Sequence, residues 1–279
     1  MSFDPRVTLA RPDLADATLE GIVAAARFTA TRPAQAVIAA ASLRAAPRRE
    51  AEQLDQLLFG ELFDVLEAAG EYAWGRARRD GYVGFVEMGA IDFEPVVPTH
   101  WVKALRTFAF AEPSIKSPAR GPLSLNALVT VIEHSGTMSR AARVGWIATA
   151  HLAPVGASLE SPAAVAQAFL GTPYLWGGRE SVGLDCSGLV QQALYACGRA
   201  CPRDTDQQAR LGKAVQSADL ARGDLVFWRG HVGMMMDATH LAHANAHHME
   251  VAIEPLSQAV TRIAASGGGE PAALRRLSG

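Results

Sequence analysis

Residues 171–190 read GTPYLWGGRESVGLDCSGLV. The first half, rich in glycine and aromatics, is a loop; Asp185 then stands before Cys186-Ser187-Gly188-Leu189-Val190, the opening of a helix predicted over about 186–196 and stopped near Gly198. Upstream, Ser161-Pro162 followed by AAVAQAFL predicts an N-cap, a proline at the first helical position and a helix closed by Gly171. Downstream, Asp204 or Asp206 can cap a third helix. After Gly223 the pattern turns to strands at 224–228, 231–236, 240–244 and 250–253. Helices first and strands after predict one α+β domain over 154–279, with its chemistry where the two meet.

Towards the N-terminus the texture changes. Short β-like runs at 63–66, 72–74 and 82–86 alternate with Gly60, Gly70 and Gly81, a spacing that suits a small barrel over 36–92. A second segment of similar size, 93–153, shares its ending: Val83-Gly84-Phe85-Val86 closes the first and Val144-Gly145-Trp146-Ile147 the second. This predicts a degenerate tandem repeat of one small β domain. Residues 1–35, Ala-rich with a helical stretch expected over 19–28, read as an extension packed on something larger.

With 279 residues, the chain has room for two domains or three small ones at roughly 150 residues per domain. Its 49% hydrophobic and 19% charged residues support ordered cores and exclude wholesale disorder. A formal charge of −2 gives no basic excess, so neither nucleic acid nor a membrane surface is expected as the main partner. No run approaches the roughly 18 apolar residues of a spanning helix. Asp4, Pro5, Arg6 and Pro12 stand where a signal peptide would place its apolar core, so a cytoplasmic location is expected. Three clustered cysteines (Cys186, Cys197 and Cys201) are too few for a disulfide scaffold and fit the same compartment.

Cys186 has two readings, a reactive thiol at the positive end of a helix or a small buried core residue. Backbone N–H groups at a helix start lower a thiol's pKa and can hold a developing oxyanion. His231, opening an apolar strand after the Arg229-Gly230 turn, is a base able to face that helix. His243, on the next β run, can orient the first ring. The same histidines admit a metal reading, through His240, His243, His247 and His248 with Cys197 and Cys201. Their spacing matches no usual zinc pattern, and no metal or other cofactor is expected.

The 171–190 string resembles the NlpC-type (NlpC/p60) cell-wall peptidases, whose papain-like domain carries PYxWGG, DCSG, GDL, HVG and a second His in that order. Here these are 173–178, 185–188, Gly223-Asp224-Leu225, His231-Val232-Gly233 and His243-Ala244. The upstream pieces LLFGE (57–61) and DGYVGF (80–85) resemble the bacterial SH3-like domains that precede this domain in murein-peptide recycling enzymes. The expected architecture is therefore multidomain, two small all-β SH3-like barrels followed by an α+β papain-like catalytic domain.

The resemblance implies Cys186 as nucleophile, His231 as general base and acid, and His243 as the orienting third residue. It places Tyr174 near the oxyanion or substrate, with Trp176, Gly177 and Gly178 as structural support, the tryptophan packed under the loop. It further implies that Asp185, with Tyr82 and Glu52 from the first barrel, pairs with the free ammonium of an N-terminal L-Ala. Ser187 and Thr205 follow as further substrate contacts, Thr205 standing where the family often has serine.

The activity implied is a cysteine endopeptidase cutting L-Ala-γ-D-Glu from meso-diaminopimelate in released murein tri- or tetrapeptides. Two alternatives stand beside it, an exported hydrolase of intact wall and a murein-peptide-binding module with an idle catalytic domain. The oligomeric state is not readable from the residues.

Overall fold

A computed structural model describes residues 3–277. The chain divides between Val155 and Gly156 into two compact units.

The N-terminal unit holds two small β bodies. In the first, seven strands run in the order Gln53–Leu58, Ala40–Arg44, Val83–Glu87, Tyr72–Ala77, Leu62–Ala69, Arg32–Ala36 and Ile91–Asp92. They enclose Leu43, Leu57, Phe63, Ala73, Tyr82 and Val86. The second body is a five-stranded sheet, Ala119–Ser124, Arg106–Phe110, Gly145–Ala148, Met138–Ala141 and Val131–Ser135, beside three short strands. Its core is built on Val102, Leu123, Val129 and Ile147. Arg79 ties the two bodies together, bonding the buried Glu61 at 2.7 Å and the Asn126 carbonyl at 3.1 Å.

Gly84 and Gly145 occupy equivalent places. Phe85, just after the first, pairs with Arg44; Trp146, just after the second, pairs with Phe110. A Cβ on Gly145 would lie 2.4 Å from the Phe110 carbonyl oxygen, and one on Gly84 2.9 Å from that of Arg44. The shared Val-Gly-aromatic ending thus marks where one strand must approach another's backbone too closely for a side chain.

The expected helix over 19–28 is absent. Ala17–Leu19 form a single 3-10 turn capped by Asp16, and Ala15–Asp16 pair in parallel with Phe28–Thr29. Gly21, with φ +77°, breaks the stretch. Leu9 and Leu14 pack with Leu66, Trp74 and Val83. The strand Arg32–Ala36 straddles the boundary expected at residue 36 and belongs to the first sheet.

In the C-terminal unit, helices α1 (Pro162–Ala168), α2 (Cys186–Ala196) and α3 (Thr205–Gln208) precede all the strands of a six-stranded sheet. Its strands are β1 (Lys213–Ala214), β2 (Leu225–Trp228), β3 (His231–Met235), β4 (His240–Asn245), β5 (Glu250–Pro255) and β6 (Ala273–Arg276). The spatial order is β1-β6-β2-β3-β4-β5. Helix α4 (Leu256–Ala265), not anticipated from the sequence, joins Trp228, Met235 and Leu241 through Ala259, Val260 and Ile263. Helix α2 is buried along its whole length and packs on β3 and β4. Among the described residues no helix is long and apolar enough to cross a membrane.

Candidate active site

The start of α2 is built by the loop before it. Asp185 is the N-cap: its Oδ1 accepts from the Gly188 N–H at 2.8 Å and from the Ser187 hydroxyl at 3.2 Å, while its Oδ2 accepts from the Gly177 N–H at 2.9 Å. Arg203 completes the set with 3.0 Å and 2.5 Å bonds to the two oxygens and a 2.6 Å bond to the Ser187 hydroxyl. Both partners are buried, so the pair is held by geometry rather than by solvent. Gly188 lets the loop press on the helix, since a Cβ there would lie 2.3 Å from the Gly178 carbonyl oxygen.

Cys186 is therefore the first residue of a rigidly capped helix, buried at 5% exposure. The backbone N–H groups of Val232 and Ser187 lie against its sulfur. Burial pushes the thiol up to about 12, Asp185 adding to this and the two N–H groups and Arg203 opposing it. Burial thus favours the protonated thiol, so a reaction at this sulfur would need a base at the moment of attack.

A candidate base lies on the neighbouring strand. His231 opens β3, and the next residue, Val232, already touches the sulfur. His231 Nε2 lies 2.8 Å from Nδ1 of His243 on β4, which leaves Nδ1 of His231 as the nitrogen available to a thiol. Burial pushes both rings down to about 3, the neighbouring His243 adding to the effect on His231 and Arg262 to that on His243. Both are neutral imidazoles near neutral pH, as a base must be.

Beyond His243 stands a residue that the sequence reading missed. Glu254 Oε1 is 2.7 Å from His243 Nε2 and also accepts from Arg262 on α4. In the register Glu254 pairs with Leu241, two residues before His243 on the same strand, which makes Glu254 the diagonal cross-strand neighbour of His243. The usable signal was an acid at an inward-facing position of the strand beside a buried histidine. Arg203 was visible only as a basic residue in a polar stretch; its burial could not be read locally.

The structure brings together Tyr174, Asp185, Cys186, Ser187, His231 and His243 in one unit. Tyr174 is half-buried, and its hydroxyl pKa is raised by burial, then by Cys186 and Asp185. Thr205 opens α3, two residues after Arg203, and is half-buried. Tyr82 and Glu52 belong to the N-terminal unit, Tyr82 within the first barrel's core and Glu52 exposed. Asp185, expected to face a substrate ammonium, is already engaged in five hydrogen bonds within the protein. Trp176 departs from expectation: it is 57% exposed rather than packed under its loop, with Leu175 and Met249 also exposed.

The metal reading of the histidines gains one candidate set. His243, His248 and Glu254 offer ligand atoms within 4.8 Å of one another. Both nitrogens of His243 are already engaged, with His231 and Glu254, so an ion there would have to displace one of those contacts. Cys186, Cys197 and Cys201 form no disulfide.

Comparison with known proteins agrees with this architecture. Residues 171–265 match the NlpC/P60 family, and residues 43–91 match the bacterial dipeptidyl-peptidase SH3 domain. The chain is 27% identical over 226 residues to a gamma-D-glutamyl-L-lysine dipeptidyl-peptidase of Bacillus subtilis (strain 168), covering 74% of this chain and 76% of that protein. It is 26% identical over 247 residues to dipeptidyl-peptidase 6 of Lysinibacillus sphaericus, covering 78% and 89%. A crystal structure of an NlpC/P60 family protein from Bacillus cereus superposes with a TM-score of 0.75 at 20% identity, over 88% of this chain and 99% of that one. That likeness concerns the fold.

Proposed function

We propose that this chain, a cysteine peptidase carrying an NlpC/P60 domain behind a dipeptidyl-peptidase-type SH3 domain, hydrolyses the bond between γ-D-Glu and the following diamino acid in murein peptides with a free N-terminal L-Ala. The observation that carries the chemistry is the line formed by the capped thiol of Cys186, the Val232 N–H against it, and the His231–His243 contact of 2.8 Å. The names of the two relatives support a peptidase that removes a dipeptide. One of those names places L-Lys after γ-D-Glu, where the proposed substrate here has meso-diaminopimelate.

In this reading the substrate's γ-carbonyl lies over the start of α2. His231 Nδ1 takes the Cys186 proton as the sulfur attacks the carbonyl carbon. The tetrahedral oxyanion is held by backbone N–H groups at the helix start, with the Tyr174 hydroxyl beside them. The imidazolium of His231 then protonates the leaving amine of the diamino acid. Water, deprotonated by the same ring, cleaves the thioester and releases L-Ala-γ-D-Glu. Ser187, Thr205 and Asp185 are proposed to contact the peptide, Asp185 through its ammonium. A desolvated ammonium is costly unless acids surround it, which would restrict the enzyme to short released peptides and suit recycling in the cytoplasm.

Cys186→Ala tests the assignment. It should abolish product formation from L-Ala-γ-D-Glu-meso-diaminopimelate while retaining binding by calorimetry. The parent enzyme, quenched in acid during turnover, should carry a dipeptidyl adduct on Cys186. Undiminished turnover by the variant, or an adduct on another residue, would overturn the assignment.

A further inference from the structure

The His231–His243–Glu254 line carries information about protons as well as positions. A carboxylate paired with a guanidinium has no proton to give, so the hydrogen in the 2.7 Å contact belongs to Nε2 of His243. A neutral imidazole has one N–H, hence Nδ1 of His243 is an acceptor. The 2.8 Å contact to His231 Nε2 then needs its proton from His231. By the same count Nδ1 of His231 is bare, and it is the nitrogen facing away from His243.

We propose that Glu254, held by Arg262, sets the tautomers of both imidazoles and so makes Nδ1 of His231 the base for the Cys186 thiol. Glu254 and Arg262 are positioning residues, acting through His243 and His231. The inference rests on reading Cys186 as the nucleophile and His231 as its base. The clamp joins adjacent elements: Glu254 is the penultimate residue of β5, and Arg262 lies in the last turn of α4, which follows at once.

Arg262 has a definite part. It donates to the same Oε1 that receives the His243 N–H, which keeps that oxygen aimed at the ring and counters its negative charge. Without the cation, a bare buried carboxylate would draw a proton onto His243 and favour imidazolium. The charged and titratable groups acting on the two rings are Asp185 from the α2 cap, Glu254 from β5, Arg262 from α4, and His247 and His248 from the turn after β4.

The test uses the full chain and needs no peptide. With nitrogen-15-labelled histidine near neutral pH, His231 and His243, assigned by difference with His231→Asn and His243→Asn, should both be neutral and protonated on Nε2. A proton on Nδ1 of either ring would overturn the proposal. The second readout is iodoacetamide alkylation of Cys186 across pH, resolved from Cys197 and Cys201 by peptide mass. Glu254→Leu should slow it roughly tenfold or more near neutrality, a modest share of what general-base assistance supplies. Glu254→Gln, which keeps an oxygen acceptor, should restore it to within about threefold.

A folded Glu254→Leu variant with the parental alkylation profile would also overturn it. Should that variant fail to fold, the tautomers of the parent decide alone. Neither readout involves a murein peptide, so failure of the γ-glutamyl reading would show in turnover and leave these results standing.

Discussion

Arg203 shows how much of the site depends on single residues far apart in sequence. It is 2% exposed, and its guanidinium completes the hydrogen bonding of the Asp185 cap. Arg203→Met would leave a buried carboxylate without its counter-charge and should cost about 3 kcal/mol or more. The check is the urea midpoint of the C-terminal unit followed by protection of its α2 amides; an unchanged midpoint would mean that Asp185 is solvated after all.

The paired imidazoles set a second residue-scale expectation. Their ordinary value of 6.5 holds in the unfolded chain, and burial lowers it to about 3 in the fold. Between those limits the unfolded state binds more protons, so stability is fully present above pH 6.5 and is lost as pH falls through the window. The slope should reach up to roughly 1.4 kcal/mol per pH unit for each ring. Protection of β3 and β4 amides should weaken from neutral pH towards about pH 4.5, and less so in His243→Asn; equal slopes would contradict the burial account.

Cys186, His231 and His243 could be singled out from the sequence because each sits at a position with a local signature: a cap before a helix, a turn before a strand, a neighbouring strand. Glu254 and Arg262 could not, since their roles exist only through the sheet register and the return of α4.

At the scale of elements, the strands and helices that carry the thiol and its histidines follow local rules closely. Ser161 caps α1 through the Ala164 N–H, Gly198 ends the turn after α2 at φ +71°, and His231 and His243 lie on adjacent strands as expected. Helix α4 escaped notice although Leu256, Ala259, Val260 and Ile263 have helical spacing. Its N-cap is Pro255 without a side-chain cap bond, and Val260 and Thr261 weaken its intrinsic preference. The reverse error occurred over 19–28, where an Ala-rich composition suggested a helix but packing on the first barrel and Gly21 dictate otherwise.

The loop over α2 yields an element-scale prediction. Gly188→Ala places a methyl 2.3 Å from the Gly178 carbonyl, so loop and helix must separate and the Asp185 cap must loosen. Turnover should fall at least tenfold, as expected when a reacting group is misplaced by about 1 Å. A variant with parental kcat would show that the loop is not pressed on the helix. By contrast Ser161→Ala, remote from the thiol, should cost about 1 kcal/mol of stability and leave turnover intact.

For the whole molecule, composition bounded the answer without identifying it; the ordered motifs between 171 and 244 did that, and the family and SH3 matches agree with them. The two β bodies before residue 155 share one mark in the sequence, the glycines Gly84 and Gly145, at which a strand comes close to another's backbone. The most direct measurement is mass spectrometry of the intact protein's products from L-Ala-γ-D-Glu-meso-diaminopimelate, beside the same peptide N-acetylated on alanine. Release of L-Ala-γ-D-Glu from the free peptide alone is the predicted result, whereas equal cleavage of both peptides, or of neither while Cys186 remains a reactive thiol, would contradict the proposed function.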